Sequence, residues 1–192
     1  MLNETRIPGQ RVAITEDDNR TPSREWFRFF NYLYTVIVTY ITNGAFYDDT
    51  SPVWPANTPA IVPIGGTYAT NGFTLAASRV TVASGGTYVV NASVQLSNNN
   101  AANDDDVVVW LRVNGTDATA TARQMTVPKQ HAAVAGRAVL PVNFVHTFAA
   151  GDYFELYGLS KLGYAQITTY AASSSPDYPA APGTVLTVAQ IL

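Results

Sequence analysis

Between Thr87 and Ser97 the chain alternates without interruption: Tyr88, Val90, Ala92, Val94 and Leu96 fall on one face, and Thr87, Val89, Asn91, Ser93 and Gln95 on the other. A period of two predicts a strand with one dry face. Val107 to Val113 and Ala118 to Val127 flank Asn114-Gly115, a pair whose tolerance of positive φ suits a two-residue hairpin. From Arg137 to Phe148, Ala138, Leu140, Val142, Phe144 and Phe148 share one face; Ala150-Gly151-Asp152 then turns the chain into Tyr153–Tyr157. The last run, Thr184–Leu192, is apolar on both faces, which predicts a strand covered on both sides and suits an oligomer axis.

Upstream the period changes. Trp26, Phe30, Leu33, Ile37 and Tyr40 are spaced 4, 3, 4, 3, with Phe27, Phe29, Tyr34 and Ile41 widening the stripe. That spacing predicts an amphipathic helix of about five turns. Thr21 reads as its N-cap, Pro22 as its first residue and Asn43-Gly44 as its end. The stripe either lies on its own domain or joins copies of itself in a short parallel bundle at Trp26, Phe30, Leu33, Ile37 and Tyr40. The chain thus divides into an extended arm (1–20), the helix (21–43), a neck rich in proline (44–65; Pro52, Pro55, Pro59, Pro63) and a knob of strands (66–192).

Charge sharpens this division. Of 192 residues only 13% are charged, against about 25% in ordinary soluble chains. Five arginines and five acids sit within residues 1–28, so the body is a neutral, polar, strand-rich segment. A net charge of −3 with two lysines leaves no phosphate-tracking stripe, which argues against nucleic acid. The apolar stretch near Phe29–Ile41 is broken by Asn31, Thr35 and Thr39 and falls short of a bilayer span, so no membrane insertion is expected. Absent cysteine removes thiol chemistry and disulfides.

Candidate chemistry is thin. Two histidines, His131 and His146, accompany no Gly-x-Ser-x-Gly elbow, and His146 falls on the apolar face of its strand. Glycoside cleavage needs two converging carboxyls; Asp152 reads as a turn residue and Glu155 as a carboxylate bonded to tyrosine or arginine. Asp104, Asp105 and Asp106 are weak candidates for calcium, because adjacent side chains of an extended chain point opposite ways. With Asn98, Asn99 and Asn100 they mark a loop expected to be exposed for contacts, Asp104 included. No cofactor and no enzymatic activity are expected, a small polysaccharide depolymerase or esterase being the remote alternative.

Gly86–Ser93, Val109–Gly115, Ala150–Leu156 and Thr184–Ile191 together resemble, in order and separation, the jelly roll of complement-type and tumour-necrosis-factor-like globular heads, in the version carried by bacteriophage virions. Pro22–Leu33 is similar to a short Trp-Phe-Phe helix near the start of phage fibre proteins. The resemblance implies a mainly β fold, an antiparallel jelly-roll β-sandwich preceded by an extended arm and one N-terminal α-helix. It implies a homotrimer meeting at Tyr88, Trp110, Tyr153, Tyr157, Leu186 and Val188 of the knob, and anchored to portal, tail, adaptor or capsid protein through Arg6, Arg11, Asp17, Asp18 and Arg20. Such a protein is assembled in the host bacterial cytoplasm and resides in the virion. Its expected role is a tail fibre that meets the host, with a surface glycan as partner. The alternatives are a head fibre or capsid decoration protein and, in a different class, a secreted signalling or lectin-like trimer, for which no leader is visible.

Overall fold

The computed structural model describes residues 13–15, 22–40 and 42–191, with residues 36–40 described for the backbone alone. The chain forms two compact units, residues 1–41 and 42–192.

In the first unit Thr15 bridges Pro22, and Ser23 donates from its backbone N–H to Ile14 O (2.8 Å) and from its hydroxyl to Ala13 O (2.6 Å). Helix α1 spans Arg24–Tyr40. Ser23 occupies the N-cap position, because its carbonyl accepts the Phe27 N–H at 2.8 Å. The helix therefore opens two residues later than the Pro22 start expected above. Thr21 lies outside the described residues, as does most of the arm.

The second unit carries β1 (Asn43–Asp48), β2 (Ala60–Ile61), β3 (Gly66–Asn71), β4 (Phe73–Ala76), β5 (Arg79–Val82), β6 (Gly86–Asn98), β7 (Asp105–Val113), β8 (Thr116–Asp117), β9 (Arg123–Val127) and β10 (Gly136–Phe148). It continues with β11 (Tyr153–Ser160), β12 (Ala165–Ile167), β13 (Ser173–Ser174), β14 (Asp177–Tyr178) and β15 (Thr184–Gln190). One sheet runs β10-β6-β15-β1-β3, with β12 also on β6; the facing sheet runs β4-β5-β11-β7-β8, with β2 also on β11 and β9 on β7. All of these pairings are antiparallel, and the long β6 and β10 pair along their full lengths, from Gly136↔Asn98 to Phe148↔Gly86.

The alternation of β6 sends Tyr88, Val90, Val94 and Leu96 into the space between the sheets, where all four are fully buried. From the facing sheet come Val107, Val109, Leu111, Phe154 and Leu156. Phe148 stacks on Phe154 with centroids 5.1 Å apart, and Phe73 meets Tyr88 edge-on at 5.6 Å. Each such side chain contributes about 1.5–3 kcal/mol by leaving water. The one polar atom of Tyr88 is accommodated: its hydroxyl donates to Ser84 O (2.7 Å) and accepts from Thr42 Oγ1 (3.0 Å).

The neck expected at 44–65 is part of the sandwich instead. β1 is a central strand, held by β15 from Asn43↔Ala189 to Asp48↔Thr184 and on its other side by β3. Phe46, Trp54, Val62 and Ile64 belong to the core. Asn43-Gly44 accordingly opens a strand rather than closing the helix. A Cβ at Gly44 would stand 2.6 Å from the Phe46 ring, so glycine is what lets that ring lie against its own strand.

Candidate functional site

The two sheets leave two outward faces of opposite character. On the β10-β6-β15-β1-β3 sheet, pairing places Val145, Val89, Ala189 and Asn43 in one row, Asn143, Asn91, Thr187 and Ala45 in the next, and Pro141, Ser93, Val185 and Tyr47 in a third. No charged residue stands in these rows. Val145 and Val139 are exposed, and Tyr47 stacks on Tyr68 of β3 at 4.2 Å. Charges stand at its margins: Arg123 Nη2 donates to Asn143 O (3.2 Å), Asp49 follows Tyr47 past the end of β1, and the Arg137 guanidinium lies 4.6 Å above the Tyr170 ring.

The outward face of the β11-β7 pair is charged and aromatic. Glu155 lies opposite Arg112 and Tyr157 opposite Trp110. Glu155 is 1% exposed, yet it faces away from the core, covered by Arg79, whose Nε donates to its Oε1 at 2.5 Å. That bond to Glu155 raises the Arg79 guanidinium pKa above its ordinary value. Arg79 also lies 4.9 Å over the Tyr153 ring, and Arg112 4.3 Å over Tyr157. Trp110 Nε1 donates to Asp117 Oδ1 (2.8 Å), while Arg112 Nε is 3.1 Å from that oxygen, an ion-pair contact without hydrogen-bond geometry.

The six residues expected at a trimer axis do not meet. Tyr88, Leu186 and Val188 are buried in the core of the chain itself, and Trp110, Tyr153 and Tyr157 stand on the outer face of the other sheet. Within the chain β15 is covered on one side: Leu186 and Val188 point inward, whereas Val185 and Ala189 face out. The residues that make a neutral face, Val89, Val139, Val145, Val185 and Ala45, are the alternate set of the same strands. Their mixed small and apolar character was the available signal.

On α1, Phe30 and Leu33 are exposed and Trp26 half-buried; Trp26, Phe29 and Phe30 pack with centroids 5.5–5.7 Å apart. The side chains of Ile37 and Tyr40 lie outside the described residues, as do Arg6, Arg11, Asp17, Asp18 and Arg20.

The acidic triplet disperses. Asp104 accepts the Lys129 N–H (2.8 Å), and Asp106 points outward to Thr126, Gln124 and Lys161. Asp105 turns inward, 1% exposed, and accepts from the Ser160 hydroxyl and the N–H groups of Leu162, Tyr164 and Ala165. Burial pushes its pKa up, but the Ser160 hydroxyl and the three amides outweigh it, and the carboxyl ends below its usual range. No group of three acidic or histidine side chains suited to a metal occurs among the described residues.

Asn98 is not an exposed contact. It is fully buried, its amide donating to Asn103 O and Val127 O and its carbonyl accepting the Asn100 N–H, so that it ties the loop down. Asn100 Oδ1 accepts the Ala102 and Asn103 N–H groups, which leaves Asn99 and Asp104 as the exposed members. His146 lies 4.7 Å from Phe148 and lowers the Asp152 pKa, though less than the hydrogen bonds from Asn114 and the Ala149 N–H. No helix among the described residues is long and apolar enough to cross a membrane.

No family model matches the sequence, and no curated protein matches it. Among solved structures, 236 chains match. One is the crystal structure of murine APRIL at pH 5.0, with a TM-score of 0.51 and 13% identity over 79% of this chain and 99% of that one. The knob is a jelly roll of the tumour-necrosis-factor type. The expected fold class, mainly β with antiparallel sheets and one helix, is met; at 13% identity the likeness speaks for the fold alone.

Proposed function

We propose that the chain is a non-enzymatic structural protein of a virion: a short homotrimeric fibre, attached through its arm and helix, that presents the jelly-roll knob for host attachment. The observation that carries this reading is the outward face of the β10-β6-β15-β1-β3 sheet, where three successive rows contain no charge although strand surfaces facing water normally carry some. A neutral face of valine, alanine, proline and asparagine suits burial against copies of itself, the fold offers it on one side only, and the exposed aromatic stripe of α1 gives a second place for copies to meet. The virion assignment is supported by the likeness of Pro22–Leu33 to phage fibre helices.

The absence of enzymatic activity is supported by the state of the candidate carboxylates. Glu155 is neutralised by Arg79, and Asp152 is engaged by Asn114 and Ala149. Sedimentation equilibrium of the full chain at micromolar concentration tests the assembly: the expected mass is three times the 20.7 kDa of the chain, and a monomer overturns the reading. Binding of the intact protein to host cells tests the attachment role; binding to capsids alone would instead make it a head fibre or decoration protein.

A further inference from the structure

At the β3 edge of the neutral sheet, segments 169–171 and 180–182 border an open cavity of about 320 Å³ with Tyr47, Asp49 and Tyr68. The two segments are clipped together by Tyr170 N–H to Ala181 O (3.0 Å) and Ala181 N–H to Tyr170 O (2.8 Å), and Ser51 Oγ accepts the Thr169 N–H at 3.2 Å. The cavity lies within the size range of small-molecule sites. Tyr47 and Tyr68 form its platform, their rings 24° from parallel, and Tyr68 is 61% exposed, so that the ring face turned away from Tyr47 is free. Asp49 and Tyr170 complete the wall. Among the described residues the Asp49 carboxylate and the hydroxyls of Tyr47, Tyr68 and Tyr170 have no hydrogen-bond partner.

We propose that this cavity binds a neutral saccharide, one pyranose ring lying on Tyr68 with its hydroxyls on Asp49 and the tyrosine hydroxyls. A pyranose joins an apolar C–H face to a rim of hydroxyls, which is the chemistry that an aromatic platform beside an acceptor-only carboxylate complements. No lysine or arginine lines the cavity; Arg137, 4.6 Å over the Tyr170 ring, lines a neighbouring hollow, so an anion in the cavity would face the Asp49 carboxylate. An organic cation, which Asp49 and a tyrosine face would also attract, is told apart from a saccharide by the test below. The proposal rests on the knob being a binding module, and because Tyr47 stands at the margin of the neutral face it requires the cavity to stay open where copies meet.

The test is titration of the full chain with the methyl glycosides of glucose, galactose, mannose and N-acetylglucosamine, read by saturation-transfer NMR. Saturable binding of at least one, weakened about tenfold or more by Tyr68→Ala and by Asp49→Asn, is the expected result; both side chains are exposed and neither change removes a core contact. No saturable binding by any of the four, or binding that both variants retain, overturns the proposal, as does displacement of the glycoside by tetramethylammonium or inorganic phosphate at equal concentration. Sedimentation of the same samples separates this outcome from the assembly: a trimer that binds no glycoside refutes the pocket alone, and a monomer that binds one refutes the trimer alone.

Discussion

Ser160 donates its hydroxyl to the Asp105 carboxylate at 2.5 Å, joining the last residue of β11 to the first of β7 inside the sandwich, 55 residues apart in sequence. Three backbone amides from 162–165 converge on the same carboxylate, so one buried side chain fixes the turn that leads from β11 into β12. Asp105→Ala leaves a hydroxyl and three N–H groups without their acceptor. At about 1–3 kcal/mol for each group that water cannot reach, a loss of at least about 3 kcal/mol is expected in urea denaturation. Asp105→Asn, which keeps one carbonyl acceptor, should lose less.

The same site sets a pH dependence. The folded Asp105 carboxyl titrates below its ordinary value of 3.8, so its contribution is fully present above that value and is lost as pH falls through the folded pKa. Asp106, held down by Thr126 and Lys161, and Asp152, held down by Asn114, shift the same way. Unfolding free energy should be flat from pH 7 to about 5 and should drop below about pH 4. In Asp105→Asn that acid-side drop should be shallower; an unchanged slope would show that Asp105 does not govern it.

Arg79 and Glu155 pose a different test, because the carboxylate is buried and the guanidinium half exposed. Removing the cation with Arg79→Met strands a charge, but solvent can reach the vacated side. The cost should therefore lie well below that of breaking a fully buried pair. Glu155→Gln on the Arg79→Met background should recover part of it, and a double-mutant cycle by chemical denaturation measures the coupling.

How the chain spells its fold is clearest in the strands with one dry face. Thr87–Ser97 appears as β6, and Asn114-Gly115 makes the expected turn with φ of 50° and 79°. Period-two alternation identifies the two faces of a strand, but when both sets are apolar or neutral it cannot say which one is the core. For that reason Tyr88, Leu186 and Val188 are legible as buried, though not as buried within their own chain, and nothing in the sequence marks Val89 and Val185 as the outward set. The segment 44–65 reads as a neck because its prolines weigh against a strand, yet Phe46 comes before the first of them, and Trp54, Val62 and Ile64 enter the core from a backbone that barely pairs. The cavity at Tyr47 and Tyr68 had no sequence signature, since its walls come from positions more than 100 residues apart.

Gly136 and Gly151 should respond unequally to the same change. A Cβ at Gly136 would stand 1.7 Å from Pro128 O, a backbone atom that cannot swing aside, while Gly151 has open space around it and only a φ of 89° to defend. Gly151→Ala should therefore cost about 1–2 kcal/mol of backbone strain. Gly136→Ala must move the start of β10 away from the 128–129 segment and should cost more, about 3 kcal/mol, as overpacking does. Thermal denaturation of the two variants side by side checks the order.

Val89 stands at the centre of the neutral face, opposite Ala189 on one side and Val145 on the other, half-buried in the isolated chain and pointing away from the core. Within one chain Val89→Glu is mild, since water reaches the position and substitutions at such sites usually fall within about 0.5–1 kcal/mol. Between copies it is severe, because one carboxylate per subunit would be buried without a counter-ion in a face that contains none. On the trimer proposed above, sedimentation velocity should thus show Val89→Glu as a monomer with a native circular-dichroism spectrum at concentrations where the wild type associates. Thr74→Glu, on the outward face of the other sheet, should leave assembly unchanged. If Val89→Glu assembles as the wild type does, the neutral face is not the interface, and the exposed stripe of α1 would have to carry the association alone.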